Sequence, residues 1–241
     1  MRAAAPSLSL VTPDLRGRAD SVGLPGPYSI RRHTDDLIRV LDALDIGALT
    51  VCGMSMGGWV AVDLAIAHPD RVRDVVLVDG GFPMAVHRTL SREQVPAAFA
   101  PQLAMLERTW PDTATYVGVQ ADANPLLAAD DPLLHDYLGH FLADGHIRLD
   151  REALLDDATD VFFGESRWHE LTVPTRFVYA EWSAGPGSPP AYSPEDAAKF
   201  HATLGMVARP RRVPGVDHAS LMMTPAGAEA VAEVLTEVVS G

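Results

Sequence analysis

The stretch from Leu49 to Gly81 constrains this chain more than any other. Leu49-Thr50-Val51-Cys52 reads as a buried strand, Gly53-Met54-Ser55-Met56-Gly57-Gly58 as a tight turn, and Trp59 to about Ala67 as a helix closed by Pro69. Val75-Val76-Leu77-Val78 then reads as a second strand, ending at Asp79-Gly80-Gly81. Unbroken apolar runs mark strands covered on both faces, and a strand, helix, strand order brings the second strand back parallel to the first. The sequence therefore predicts an α/β fold with a mostly parallel sheet flanked by helices.

The rest of the chain fits around that unit. Leu8, Leu10 and Val11 predict a short strand that stops at Pro13, because proline has no N–H to give a ladder. A Gly- and Pro-rich loop runs to Pro27. Ser29 is placed to cap a helix bearing Leu37, Ile38, Leu41 and Leu44, with Gly47 as its stop. From Phe82 to Leu171 helical patterns follow one another without a strong strand, and Asp131-Pro132 opens a segment with an apolar stripe of Leu133, Leu134, Tyr137, Leu138, Phe141 and Leu142. Strand patterns resume at Pro174 to Ala180 and near Arg211 to Val213, and a helix bearing Val231, Val234, Leu235 and Val238 closes the chain. The expected organisation is one core made of residues 1–81 and 172–241, with a helical cap, residues 82–171, inserted into it.

Gly53-Met54-Ser55-Met56-Gly57 fits the pattern Gly-x-Ser-x-Gly in the place where that pattern carries chemistry, between a buried strand and a helix. A serine at a sharp strand-to-helix turn is held in a strained backbone that pushes its hydroxyl outward, and flanking glycines remove the Cβ atoms that would clash. The helix start adds partial positive charge, and the Met56 amide is aimed where an oxyanion would form. A glycine-rich turn with an incidental serine is the plainer alternative.

With Pro13-Asp14-Leu15-Arg16-Gly17, the Gly-Met-Ser-Met-Gly-Gly turn, Leu77-Val78-Asp79 and Val216-Asp217-His218 in this order, the chain resembles the α/β-hydrolase family over nearly its whole length. The resemblance implies Ser55 as nucleophile and His218 as general base, with Met56 N–H as an oxyanion donor. For the acid it implies an aspartate shortly after the strand Arg176 to Tyr179, where this chain reads Ala180-Glu181-Trp182-Ser183. Two carboxylates could stand in: Asp79, at the carboxyl end of a parallel strand and in the position some lipases and haloalkane dehalogenases use, or Glu181. Asp79 is favoured, since that edge is where α/β sites assemble. The family builds half its oxyanion hole from a glycine-rich loop after its third strand, and nothing before Pro13 matches that loop. The expectation is therefore a core whose N-terminal strands and oxyanion loop are missing, with a gap inside the sheet that residues 7–12 either close or leave open.

Composition narrows the partners. A net charge of −13 argues against nucleic acid or an anionic membrane surface, both of which call for a basic face. A small-molecule substrate is expected, with the oligomeric state left open. The one cysteine, Cys52, cannot form an internal disulfide and reads as a small buried hydrophobe in a reducing, cytoplasmic setting. No cofactor or metal is expected: His135 and His140 are five apart, not the three or four that share a helical face, and no His-Glu-x-x-His pattern occurs. The expected activity is a serine hydrolase acting on an ester or related activated carbonyl in a small apolar substrate, carboxylesterase-like. The alternatives are a non-catalytic relative that binds a ligand and, from another class, a dinucleotide-binding module in which Asp79 holds a ribose. Against that last reading, Ser55 stands where the second glycine must let a pyrophosphate approach.

Overall fold

A computed structural model describes residues 8–84 and 89–240. In chain order, helix α1 (Ile30–Ala43) leads to strand β1 (Leu49–Met54), helix α2 (Met56–Ala67) and strand β2 (Val72–Val78). A helical insertion follows: α3 (Val95–Ala98), α4 (Ala100–Leu106), α5 (Thr113–Ala123), α6 (Pro132–His140), the short strands β3 (Leu142–Ala143) and β4 (His146–Ile147), and α7 (Arg151–Phe163). Strand β5 (Thr175–Trp182), α8 (Pro194–Leu204), β6 (Arg211–Asp217), α9 (Ser220–Met223) and α10 (Pro225–Ser240) complete the chain.

The four long strands form one parallel sheet in the order β1-β2-β5-β6. Its centre is β2, whose Val75, Val76, Leu77 and Val78 are all fully buried. Alternate side chains serve opposite layers. Val75 and Leu77 pack with Ala61 and Leu64 of α2, Phe177 of β5 and Phe200 of α8, while Val76 and Val78 pack with Val178, Val213 and the Val231, Val234, Leu235 and Val238 stripe of α10. Each such side chain contributes about 1.5–3 kcal/mol on leaving water, and a helix layer on both faces is why the strand carries no polar alternation.

Local chemistry sets the helix boundaries. Ser29 Oγ accepts the Arg32 amide at 3.1 Å and starts α1. The helix ends before Gly47, because Asp45 takes the left-handed conformation (φ 53°) that a helix exit needs, and Leu44 consequently points into solvent. Asp131 accepts the Leu133 amide at 2.9 Å and opens α6, of which Leu134 and Leu138 are buried against Trp110, Tyr116 and Val117. Leu133 and Tyr137 are exposed. The hairpin β3–β4 is an element the apolar pattern did not predict. Its signal is Asp144-Gly145, both at positive φ (51° and 74°), the pair favoured in two-residue hairpin turns.

Two expectations are corrected. Leu8 to Leu15 form no strand: Leu8 leans on the α10 layer, while Val11, Pro13 and Leu15 line one side of a slot of about 320 Å³. The other side is the outer edge of β1, and the slot is closed below by Leu37 and Leu41 of α1 and by Val60 and Leu64 of α2. Apolar residues without a ladder partner in reach do not make a strand, and among the described residues β1 pairs with β2 alone. Cys52 is not buried. It opens onto the slot and can be reached by solvent, although the protein packed around it desolvates the thiol and pushes its pKa up to about 12.

This combination predicts how Cys52 reacts. Only the thiolate is nucleophilic, so alkylation by iodoacetamide should keep rising about tenfold per pH unit between pH 8 and 10, where a free thiol has levelled off near its ordinary value of about 8.5. A plateau below pH 9.5 would show that bulk water solvates the thiol freely.

Candidate active site

Where β1 ends, the chain turns at Ser55 with φ 50° and ψ −126°, a conformation that costs a residue with a side chain about 1–3 kcal/mol. The turn is held from several directions. The Ser55 amide donates to Val78 O at 3.0 Å, and Ser55 O accepts the Gly58 amide at 2.8 Å. At Gly53, a Cβ would run into the carbonyl of Gly57; at Gly80, a Cβ would run into the carbonyl and Cα of Ser55 itself. α2 begins at Met56, earlier than its sequence pattern predicts, because the turn passes directly into the helix. The Met56 amide therefore belongs to the first turn, whose N–H groups have no carbonyl behind them in the helix and carry its positive end.

The neighbouring strand ends in the same way. Asp79 also has positive φ (44°), and its amide donates to Val178 O at 2.8 Å. Met54 and Val78 are partners in the β1–β2 register, so the two left-handed residues stand side by side at the carboxyl edge of the sheet. Asp79 is 1 % exposed; its Oδ1 accepts the Ala180 amide at 3.1 Å and its Oδ2 lies 2.7 Å from His218 Nδ1. A carboxylate can only accept, so Nδ1 carries a proton, and in the neutral ring the lone pair is on Nε2. His218 follows β6, with its amide on Trp182 O at 3.1 Å and its ring partly open to solvent. Among the described residues no hydrogen bond joins Ser55 Oγ to His218.

Glu181, the other carboxylate singled out in the sequence, is elsewhere. Its two oxygens accept from Arg212 at 2.9 Å and from the Gly215 amide at 2.7 Å, stitching β5 to β6 without touching His218.

Sequence reasoning passed over two buried acids near the site. Asp217 is 1 % exposed and accepts four hydrogen bonds: from Ser220 N and Oγ, Gly185 N and Asn124 Nδ2, at 2.7–2.8 Å. Burial alone would raise its pKa, but the donors from Ser220, Gly185 and Asn124 outweigh that and hold the carboxyl below the usual range. The spacing Asp-x-x-Ser at the head of α9 was its signal. Asp157 of α7 is the second. It lies 3.0 Å from His33 Nε2 of α1 and accepts from Arg18 at 2.7 Å, and Arg18 in turn touches the Met56 sulfur at 3.5 Å. His33 and Asp157 are both sealed from solvent, so this second histidine–aspartate pair clamps the insertion to the core and offers nothing to a substrate.

The grouping among the described residues that approaches a metal-ligand set is Asp14, Asp20 and His140. It lies at the surface, with Arg148 on Asp20 and His140 paired to Asp14, so a cation's charge is already supplied by the protein.

A parallel α/β sheet whose adjacent strands end in a strained serine and in a buried aspartate paired with histidine defines a protein of the hydrolase type. The chain belongs to the alpha/beta hydrolase family, whose model matches residues 1–234. It is similar to the 2-hydroxymuconate semialdehyde hydrolase of Pseudomonas putida, with 33% identity over 140 residues that make up 58% of this chain and 44% of the relative. It is also similar to 3-oxoadipate enol-lactonase 2 of Acinetobacter baylyi, with 41% identity over 66 residues, 27% of this chain and 25% of the relative. The chain spans less than half the length of these curated relatives. Among solved structures, an M. tuberculosis esterase superposes with a TM-score of 0.70 at 23% identity, over 95% of this chain and 75% of that one, a likeness that shows the fold.

The contact at Gly80 is testable by stability alone. Gly80→Ala should destabilise the protein by about 1–3 kcal/mol, since backbone must move to admit the Cβ. Gly57→Ala, at a helical position where nothing lies within 4 Å of the new methyl, should stay within about 1 kcal/mol of the parent in thermal unfolding. Equal melting curves would mean that the two strand ends are not in close contact.

Proposed function

We propose that this chain is a serine hydrolase that cleaves an ester or related activated carbonyl bond in a small, fairly apolar molecule. The observation that carries the reading is the 2.7 Å contact between His218 Nδ1 and the buried Asp79 carboxylate, beside the strained turn that presents Ser55. With Nδ1–H committed to Asp79, His218 Nε2 is the free base. It takes the proton from Ser55 Oγ as that oxygen attacks the carbonyl carbon, and the oxygen that gains negative charge faces the Met56 N–H at the head of α2. Collapse of the tetrahedral species returns the Nε2 proton to the departing alkoxide. Water then enters, gives a proton to Nε2 and attacks the acyl carbon; collapse of this second tetrahedral species returns the proton from Nε2 to Ser55 Oγ and releases the acid. Asp79 remains ionised throughout and orients the ring. No cofactor or metal takes part in this scheme.

The helical segment 82–171 acts as a cap over the site and the rest of the chain as its core. A dinucleotide-binding role is disfavoured because both oxygens of Asp79 are already engaged, by Ala180 N and by His218. The relatives act on a semialdehyde and an enol-lactone by name, which supports a small carbonyl substrate for this chain. No helix among the described residues is long and apolar enough to cross a membrane.

A fluorophosphonate probe should label the protein at Ser55, and Ser55→Ala should abolish both labelling and turnover of a short p-nitrophenyl ester, a loss on the order of 10⁶ in kcat where the comparison has been made. Undiminished hydrolysis by Ser55→Ala would overturn the assignment. Asp79→Asn should lower kcat by about 10⁴, because the ring then adopts the wrong tautomer, while Glu181→Gln should cost less than about tenfold. Small, equal losses from these two changes would leave Ser55 and His218 as a dyad.

A further inference from the structure

The turn that carries His218 is tied to the helical insertion by a hydrogen bond from Asn124 to Asp217, and that bond bears on how the proposed base is aimed. Asp217 ends β6 and His218 is the next residue. The Asp217 amide donates to Ser220 Oγ at 2.7 Å, and its Oδ1 accepts from the Ser220 hydroxyl and amide, so residues 217–220 close into a rigid cap on α9. Its Oδ2 faces outward and accepts from two elements far away in sequence: Gly185 N, in the loop after β5, at 2.7 Å, and Asn124 Nδ2, at the C-terminal end of α5, at 2.8 Å. Asn124 is held for this task. Its Oδ1 accepts the Leu126 amide at 3.0 Å, which fixes the amide so that the NH₂ group points at Asp217. No cation accompanies the Asp217 carboxylate in this network, so its charge rests on the four donors, and losing one leaves a lone pair of a buried anion without a partner.

We propose that Asn124 and Asp217 are positioning residues for His218: through their hydrogen bond the helical insertion sets the angle of the turn that presents the imidazole to Ser55. The inference rests on the hydrolase reading for its kinetic consequence, although the coupling itself does not need turnover to be seen. The insertion reaches the same turn a second time, where Met223 of α9 packs against the Trp110, Tyr116 and Leu134 cluster. A shift of the insertion is therefore felt at both ends of α9. Substrate held under the insertion and the orientation of the base become linked quantities.

The test uses the full chain and Asn124→Ala, at a partly buried position outside the packed apolar clusters. In the wild-type protein and the variant, the His218 ring nitrogens are followed by NMR across pH 5–9. The ester assay is run in parallel, with fluorophosphonate labelling of Ser55 as the reference. The expected result is a displacement of the His218 titration by about 0.5 pH unit or more and a fall in kcat of about tenfold with KM within about twofold, at an unchanged fold by circular dichroism. Asn124→Asp, which sets a second carboxylate against Asp217, should show a larger displacement in the same assays and serves if the alanine variant folds poorly. A purely structural contact would lower the melting temperature and leave the titration and kcat alone, and that outcome would overturn the inference. If the wild-type protein takes no fluorophosphonate at Ser55, the hydrolase reading fails instead, and the comparison of His218 titrations still decides the coupling.

Discussion

At the carboxyl edge of the sheet the backbone of Gly80 lies against the carbonyl of Ser55, a contact closer than any side chain would allow. Much of the site depends on this approach. It requires two neighbouring parallel strands to end at the same level, which the Met54–Val78 pairing provides, and it requires both chains to leave the sheet through positive φ, at Ser55 and at Asp79. Ser55 is braced by its amide on Val78 O of β2 and Asp79 by its amide on Val178 O of β5, so the conformational cost of each is offset by a bond from the neighbouring strand. β2, fully buried from Val75 to Val78, is the anvil for this arrangement. With helices packed on both of its faces, its end cannot retreat from β1, and Asp79 is delivered to His218 by the same strand that fixes Ser55.

Much of this was legible in the sequence, and the boundary of legibility is physical. The parallel sheet, the turn at Ser55 and the choice of Asp79 over Glu181 as the carboxylate facing His218 all follow from strands that are apolar without interruption and from acids placed at their ends. Such patterns are local. Gly80 was not legible as a contact residue, because what demands glycine there is the carbonyl of a residue on another strand. Asp217 and Asn124 are separated by 93 positions, and no periodicity links a helix end in the insertion to the turn after β6. The turn of Asp144-Gly145 was readable and passed over because the flanking strands are two residues each, too short to show alternation. Leu8, Leu10 and Val11 failed in the opposite sense: a strand's residues were present, but the slot lies between this segment and the outer edge of β1 and no ladder forms.

The buried charges of this protein divide by the kind of partner they keep. Asp157 is balanced by the Arg18 guanidinium and closed in by His33, an arrangement suited to holding α7 against α1. Among the described residues Asp217 accepts from neutral donors alone, and its pKa is lowered against the pull of burial. Asp79 keeps one oxygen on a backbone amide and the other on an imidazole. Three aspartates of similar burial thus keep three different sets of partners, and Asp79 is the one whose histidine partner is open to solvent.

The slot beside β1 has a consequence for motion. A central strand has its amides locked on both sides, whereas β1, among the described residues, shares a ladder with β2 only, and its outer N–H and C=O groups face a channel about 320 Å³ in volume. Opening such a strand breaks half as many bonds as opening β2 does, so the strand that holds Ser55 belongs to the lower-energy end of the molecule's spectrum of local unfolding. In hydrogen-exchange terms, the amides of β1 that point into the slot are replaced by deuterium sooner than those of β2. The strained Ser55 is therefore carried by an edge strand of the described sheet, and its geometry is inherited from the stiffer neighbour.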